Sequence, residues 1–164
     1  MPKKLWEPSK GLIKNSNLFA YEKFISKYYK YNLSRNYTKL LKWSVNNPKD
    51  FWNSIWKYFE VIGIKTNKFK LTKDLINSKF FVNSKLNFTE NLLVKNSNQK
   101  AITFVSENGY REQKSWKELN IEVKKIITFY KKINISEKDR IAAYTPNQIE
   151  TVECFLSASA IGSI

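Results

Sequence analysis

The chain has 164 residues, a formal net charge of +15, and 42% hydrophobic and 15% aromatic residues. That apolar content is enough to bury a core and excludes a wholly disordered chain, and the length suits roughly one ordinary domain. The lack of histidine removes Ser-His-Asp and Cys-His nucleophilic systems and nearly every zinc site, and the lone Cys154 removes an internal disulfide framework.

Residues 1–65 read as helical. In "NLFAYEKFISKYYKY", Leu18, Tyr21, Phe24, Ile25 and Tyr28 fall on one helical face with lysines opposite. A second helix is predicted over Tyr37–Val45, with Leu40, Leu41 and Trp43 available for burial. Asn47 then suits an N-cap, Pro48 the first helical position and Asp50 the first turn of a third helix. Its stripe is Phe51, Ile55 and Phe59, flanked by Trp52 and Trp56, with Gly63 as the predicted stop. Three of the five tryptophans lie in residues 41–65. Aromatics at i, i+4 on a capped helix read as a buried stripe; a base-stacking platform would interleave them with Arg or Gly on strands or loops.

Residues 66–98 have weak periodicity and read as an irregular connection with a helical turn near "TENLL". From Lys100 the pattern changes. "AITFVSE" is a β-type run, "ENGY" a turn and "REQKS" an exposed strand, which predicts a hairpin. "SWKE" is a capping box joining Ser115 and Glu118. The helix behind it places Leu119, Val123, Ile126, Tyr130 and Ile133 on one face. "DRIAAY" is predicted as a short strand. "TPNQIE" leads into a last helix capped by Asn147, with Ile149, Val152, Phe155 and Leu156 inward and Ser157, Ala158, Ser159 and Ala160 small enough to lie close on a sheet.

Strands alternating with helices place the chain in the α/β class. Residues 1–98 form a mainly helical N-terminal extension with its linker, and residues 99–164 the first part of an α/β domain. With three strand candidates and a last helix running towards another strand at Ile164, that domain is expected to be truncated, with sheet edges and an apolar face left open.

Among 29 basic residues only Arg35, Arg111 and Arg140 are arginine, and the lysines are spread along the chain. Base and phosphate recognition favours arginine's planar fork and clustered patches, so the charge reads as a solvated surface with no specific nucleic-acid partner. "MPKKLWEPSKG" has no apolar signal region, and no apolar run reaches the roughly 18 residues of a membrane span, so no membrane partner and a cytoplasmic location are expected. The four glycines are too scattered for a phosphate loop. Asp139-Arg140 reads as a turn or a paired strand end, "ENGY" as a hairpin turn, and Cys154 as an inert helix-core thiol. Tyr144-Thr145-Pro146-Asn147 lies where α/β folds bind ligands, although its plainer reading is an architectural turn.

Five segments carry a resemblance: "LWEPS" at 5–9, "LKWSVNNPKDFWNSIWKYFEVIG" at 41–63, "KLNFTENLL" at 85–93, "SWKEL" at 115–119 and "KDRIAAYTPNQIETVECFLSASAIGSI" at 138–164. In order and spacing they resemble the acetoacetate–CoA ligase family of acyl-adenylate-forming enzymes, over essentially the whole chain. The resemblance implies the N-terminal portion of a much longer ligase, and hence the truncated start of an acyl-adenylate-forming α/β domain. Such a ligase joins a carboxylate to the α-phosphate of ATP, releases pyrophosphate, and passes the acyl group to the thiol of coenzyme A. Mg²⁺ and a Gly/Ser/Thr-rich loop would hold the polyphosphate, and a lysine would neutralise the developing charge. Those parts lie beyond the point matching Ile164. No residue here is therefore assigned a catalytic, cofactor-binding or metal-binding role, and ATP, coenzyme A and Mg²⁺ belong to the full-length enzyme. The implied partners are the rest of the ligase chain and the substrate acetoacetate; the piece alone is expected to be inactive. "LNFTENLL" lacks the Cys, Arg and His that acetyl- and propionyl-CoA synthetases carry there, which favours acetoacetate. The alternatives are a fragment of an acetyl- or propionyl-CoA synthetase, or a basic non-catalytic binding remnant.

Overall fold

The computed structural model describes residues 5–34 and 36–164; Arg35 and the whole of the N-terminal "MPKK" segment lie outside the described residues. The chain divides into two compact units, one of residues 1–61 and 65–83, the other of residues 62–64 and 84–164.

The first unit carries helices α1 (Lys10–Lys14), α2 (Asn17–Tyr29), α3 (Tyr37–Asn46) and α4 (Pro48–Tyr58). Side-chain oxygens of Ser9, Ser16 and Asn36 accept the amides of Leu12, Phe19 and Lys39, satisfying N–H groups that a helix start leaves without partners. Pro48 and Asp50 occupy the first turn of α4 as expected. Asn47 stands at the cap position, but its side chain turns back and donates to the Trp43 carbonyl at 3.1 Å, so it closes α3 instead of capping α4. Nor is Gly63 the stop of α4. Glu60 takes a left-handed conformation (φ 50°), with Val61 N–H bonded to the Trp56 carbonyl at 3.1 Å and Glu60 N–H to that of Lys57 at 3.3 Å, a Schellman ending built on glutamate.

Tyr21, Ile25, Leu33, Leu40 and Trp43 form the buried core of this unit, with Phe24, Tyr29, Phe51, Ile55 and Tyr58 packed against it. Trp43 meets Tyr29 and Phe51 edge-on, at ring-centroid distances of 5.6 and 6.3 Å. Trp52 lies against Phe80 and Trp56 against Phe81, at 5.5 and 5.0 Å. The tryptophan-rich segment is thus packing. Leu18, Tyr28, Leu41 and Phe59, expected on buried stripes, are exposed. On α2 the buried positions are Tyr21, Glu22 and Ile25, a narrower stripe than the sequence shows. Ser54 is fully buried; its hydroxyl donates to the Phe51 carbonyl and accepts from the Tyr21 phenol, each at 2.6 Å. A residue this small lets the Tyr21 ring reach α4.

The second unit carries α5 (Phe88–Leu92), β1 (Lys100–Val105), β2 (Arg111–Ser115), α6 (Trp116–Lys132) and α7 (Ile149–Ala160). β1 and β2 are the predicted antiparallel hairpin, with one irregularity between Lys100 and Ile102. The capping box forms as read: Glu118 N–H donates to Ser115 Oγ at 3.2 Å, and Ser115 N–H to the Glu118 carboxylate at 2.7 Å. Leu119, Val123 and Leu156 form the core, with Ala101, Ile102, Trp116 and Ile127 against it. Ser157 is fully buried and its hydroxyl lies 3.2 Å from the Val123 carbonyl, so the small residues of α7 serve close approach to α6. Asn87 and Thr89 bond the carbonyls of Ser159 and Leu156, both at 2.8 Å, and lock α5 to the end of α7.

Three expectations fail here. Ile133, Val152 and Phe155, read as inward, are exposed. α7 starts at Ile149 with Gln148 at its cap position and no side-chain cap, so Asn147 does not cap it. "DRIAAY" forms no named strand. It does begin a pairing: Ile141 N–H donates to the Ile164 carbonyl and Ile164 N–H to the Asp139 carbonyl, both at 2.8 Å. That is the hydrogen-bond pattern of a parallel bridge centred on Arg140 and Ile164. A strand is defined by its partner, and one residue is too short to make one. Among the described residues, no helix is long and apolar enough to cross a membrane.

Candidate functional site

A cavity of about 670 Å³ lies within the second unit. The backbone of Ile141–Ala143 with Thr145 forms one wall, α7 the other through Cys154, Phe155 and Ala158, and Tyr130 of α6 lines it beside Ile164. The wall is apolar because α7 presents small or aromatic side chains there. Phe155 is 60% exposed and Tyr144 stands fully in solvent. Burial, with the Cys154 thiol against it, pushes the Tyr130 phenol above its ordinary pKa.

Thr145 and Thr151 on the groove are already engaged in local structure. Thr151 Oγ1 donates to the Pro146 carbonyl at 2.8 Å and lies 3.0 Å from Thr145 Oγ1, which fixes the turn into α7. The stretch Tyr144–Asn147 is therefore held as a turn, with Thr145 on the groove. The Asp139 carboxylate accepts from the Ser136 amide and hydroxyl at 2.7 and 2.9 Å, and those bonds hold it below the usual carboxylate range. That is the turn reading of Asp139-Arg140. "ENGY" is likewise a hairpin turn, closed by Ser106 N–H to the Tyr110 carbonyl at 2.9 Å, with Gly109 at φ 83°.

These residues do not fit a nucleotide or its metal. A polyphosphate needs cationic side chains or a nest of amides, and the groove presents no lysine or arginine and one carboxylate, Glu150. Among the described residues, no group of three His, Cys, Asp or Glu could hold a metal ion.

One feature is invisible from sequence spacing. Lys114 on β2 and Glu153 on α7 pair at 2.7 Å, with the carboxylate side chain only 4% exposed. Burial lowers the Lys114 ammonium, but the hydrogen bond and charge of Glu153, with Glu112 and Glu150 nearby, outweigh it and hold the ammonium above its ordinary value. The pair lies away from the groove lining and ties the hairpin to α7.

The family profile described as "Acetyl-coenzyme A synthetase N-terminus" matches residues 37–92. An acetoacetyl-coenzyme A synthetase of Rhizobium meliloti (strain 1021) is 28% identical over 161 residues, 98% of this chain and 25% of that protein. An acetoacetyl-CoA synthetase of Xenopus tropicalis is 33% identical over 136 residues, 79% of this chain and 20% of that protein. The solved acetoacetyl-CoA synthetase from Streptomyces lividans superposes with a TM-score of 0.88 at 21% identity, over 99% of this chain and 26% of that one. The chain thus spans a fifth to a quarter of the length of the curated relatives it matches. Over nearly its whole length it is similar in sequence and in fold to the N-terminal portion of acetoacetyl-CoA synthetases.

Proposed function

We propose that this chain is the N-terminal portion of an AMP-forming acid–thiol ligase that activates acetoacetate with ATP and transfers the acyl group to coenzyme A in the cytoplasm. The observation that carries this reading is the continuous likeness to acetoacetyl-CoA synthetases over 98% of the chain. In this reading residues 1–98 are the helical extension with its linker, and residues 99–164 open the AMP-binding α/β domain. ATP, Mg²⁺ and coenzyme A are held by the remaining part of the ligase, which supplies the cationic groups the groove lacks. The task of this portion is architectural: it supports the layer on which the ligand-binding loops are mounted.

The test is a chimera. The chain is fused at Ile164 to the part of the Rhizobium meliloti relative that follows the matched residues. Acid-dependent AMP and pyrophosphate release is then measured with acetoacetate, acetate and propionate. Acetoacetate-dependent turnover by the chimera, with none from the chain alone, supports the reading. A folded chimera that turns over only acetate or propionate assigns the chain to those relatives instead. Turnover by the chain alone would show that this portion carries catalytic groups of its own.

A further inference from the structure

Asn108 is the chain's one asparagine followed by glycine. It stands at the tip of the β1–β2 hairpin, and residues 107–110 are all exposed. The loop is tight. Gly109 N–H donates to the Ser106 carbonyl at 3.0 Å, Ser106 N–H donates to the Tyr110 carbonyl at 2.9 Å, and Gly109 takes φ 83°. A Cβ placed on Gly109 would meet no atom within 4 Å. The glycine neither carries nor meets a side chain that would shield its nitrogen. The Asn108 side chain, by contrast, is held. Its Oδ1 accepts from Tyr110 N–H at 3.1 Å and from the Ser106 hydroxyl. Two donors on one amide oxygen draw electron density from Cγ. They also stand where negative charge forms when a nucleophile attacks that carbon, which is how tetrahedral intermediates of acyl transfer are stabilised. The nucleophile is already in place. The Gly109 nitrogen closes a succinimide ring on Cγ within one dipeptide, with the advantage of an intramolecular reaction.

We propose that Asn108–Gly109 is a self-modification site, at which Asn108 converts through a cyclic imide to isoaspartate or aspartate while the Tyr110 amide and the Ser106 hydroxyl hold the oxyanion. Hydroxide removes the Gly109 amide proton, and the nitrogen gives up its bond to the Ser106 carbonyl. The nitrogen attacks Cγ, the N–Cγ bond forms, and the carbonyl electron pair moves to Oδ1. The pair returns, the Cγ–Nδ2 bond breaks, and Nδ2 takes a proton from water and leaves as ammonia. Water then opens the imide. Attack at Cγ gives aspartate. Attack at the Asn108 backbone carbonyl gives isoaspartate, whose main chain runs through the former side chain. Asparagine and water become ammonia and the acid, and no other reactant is needed. Isoaspartate adds a backbone atom to the loop, so the Ser106–Tyr110 bond that closes the hairpin cannot keep its geometry. Either product adds a negative charge to a turn that already carries Glu107 and Glu112. The inference stands apart from the ligase reading, because all its groups lie in the hairpin.

The experiment ages the full chain in mildly alkaline buffer and follows each asparagine by peptide mapping with mass spectrometry. Isoaspartate is counted by enzymatic carboxyl methylation from labelled S-adenosylmethionine. Asn77 and Asn96, exposed and followed by serine, are the internal references. Asn108 should react on the order of tenfold faster than either, at a rate that rises with pH, because glycine leaves the attacking nitrogen uncovered. Ser106→Ala removes one oxyanion donor and should slow Asn108 roughly fivefold, with the far-UV circular dichroism of the parent. Ser106→Thr keeps the hydroxyl and should keep the parent rate. A rate at Asn108 no higher than at the references, a Ser106→Ala chain that reacts as fast as the parent or faster, or a Ser106→Thr chain slowed as much as Ser106→Ala would each overturn the proposal.

Discussion

Lys114 and Glu153 stand 39 positions apart in the sequence and meet as an ion pair out of water. Glu153→Gln keeps the shape but leaves the ammonium without its counter-charge. Because Lys114 keeps some access to solvent, the expected loss is about 3 kcal/mol, the low end for a broken buried pair, and urea unfolding measures it. The pH dependence follows from the raised Lys114 pKa. A lysine raised in the folded state stabilises fully below its unfolded value, and that contribution disappears as pH rises through the folded value. The parent should therefore lose this contribution only above about pH 10.4, and Glu153→Gln should show a flatter alkaline limb. Gly63 is a second such residue. A Cβ there would lie 2.6 Å from the Lys85 carbonyl oxygen and 2.9 Å from Leu86 Cβ, at φ +157°. Gly63→Ala should cost about 2–4 kcal/mol, read as a lower urea midpoint, because backbone and not a flexible side chain must move.

At the scale of the element, three helices end alike and with different residues. Glu60 after α4, Asn134 after α6 and Gly162 after α7 all take left-handed conformations, at φ 50°, 61° and 76°. Each is followed by an amide bonded five residues back: Val61 to Trp56, Ile135 to Tyr130 and Ser163 to Ala158. The left-handed state is strained for glutamate, milder for asparagine and free for glycine. Glu60→Gly should therefore stabilise by about 1 kcal/mol and Asn134→Gly by less, compared through thermal midpoints. The opposite order would mean that the Glu60 side chain contributes more than its backbone costs. Only the glycine ending could be read from sequence, because the other two depend on where packing stops the helix.

At the scale of the whole molecule, the charge is unequally divided. The unit of residues 1–61 and 65–83 has 17 basic and 5 acidic residues, a formal +12, and the other unit has 12 basic and 9 acidic residues, a formal +3. Lysines are indeed spread; it is the carboxylates that gather in one unit. Within the first unit Lys70 and Lys79 are paired directly across an antiparallel bridge. Like charges placed there repel. Added salt should therefore raise the thermal midpoint, by roughly 2–4 °C between low salt and about 0.5 M, as screening shortens the reach of that repulsion. A falling midpoint would mean that ion pairs outweigh self-repulsion.

What the sequence determined by itself was local. Three of the four N-terminal helices (α2, α3 and α4), the hairpin around Gly109, the capping box of Ser115 and Glu118, and the segments similar to acetoacetate–CoA ligases all rest on neighbours within a few positions. Spacing and turn chemistry carry those signals. Tertiary structure decided which face of each stripe is buried, as with Leu18 and Tyr28 outside and Glu22 inside on α2. It decided that Ser157 meets α6, that Lys114 finds Glu153, and that "DRIAAY" bonds Ile164 through Asp139 and Ile141 without forming a strand. A helix needs only its own backbone partners, whereas a strand, a buried charge and an apolar face are completed by groups distant in the chain. Pattern within a window cannot say which distant groups arrive.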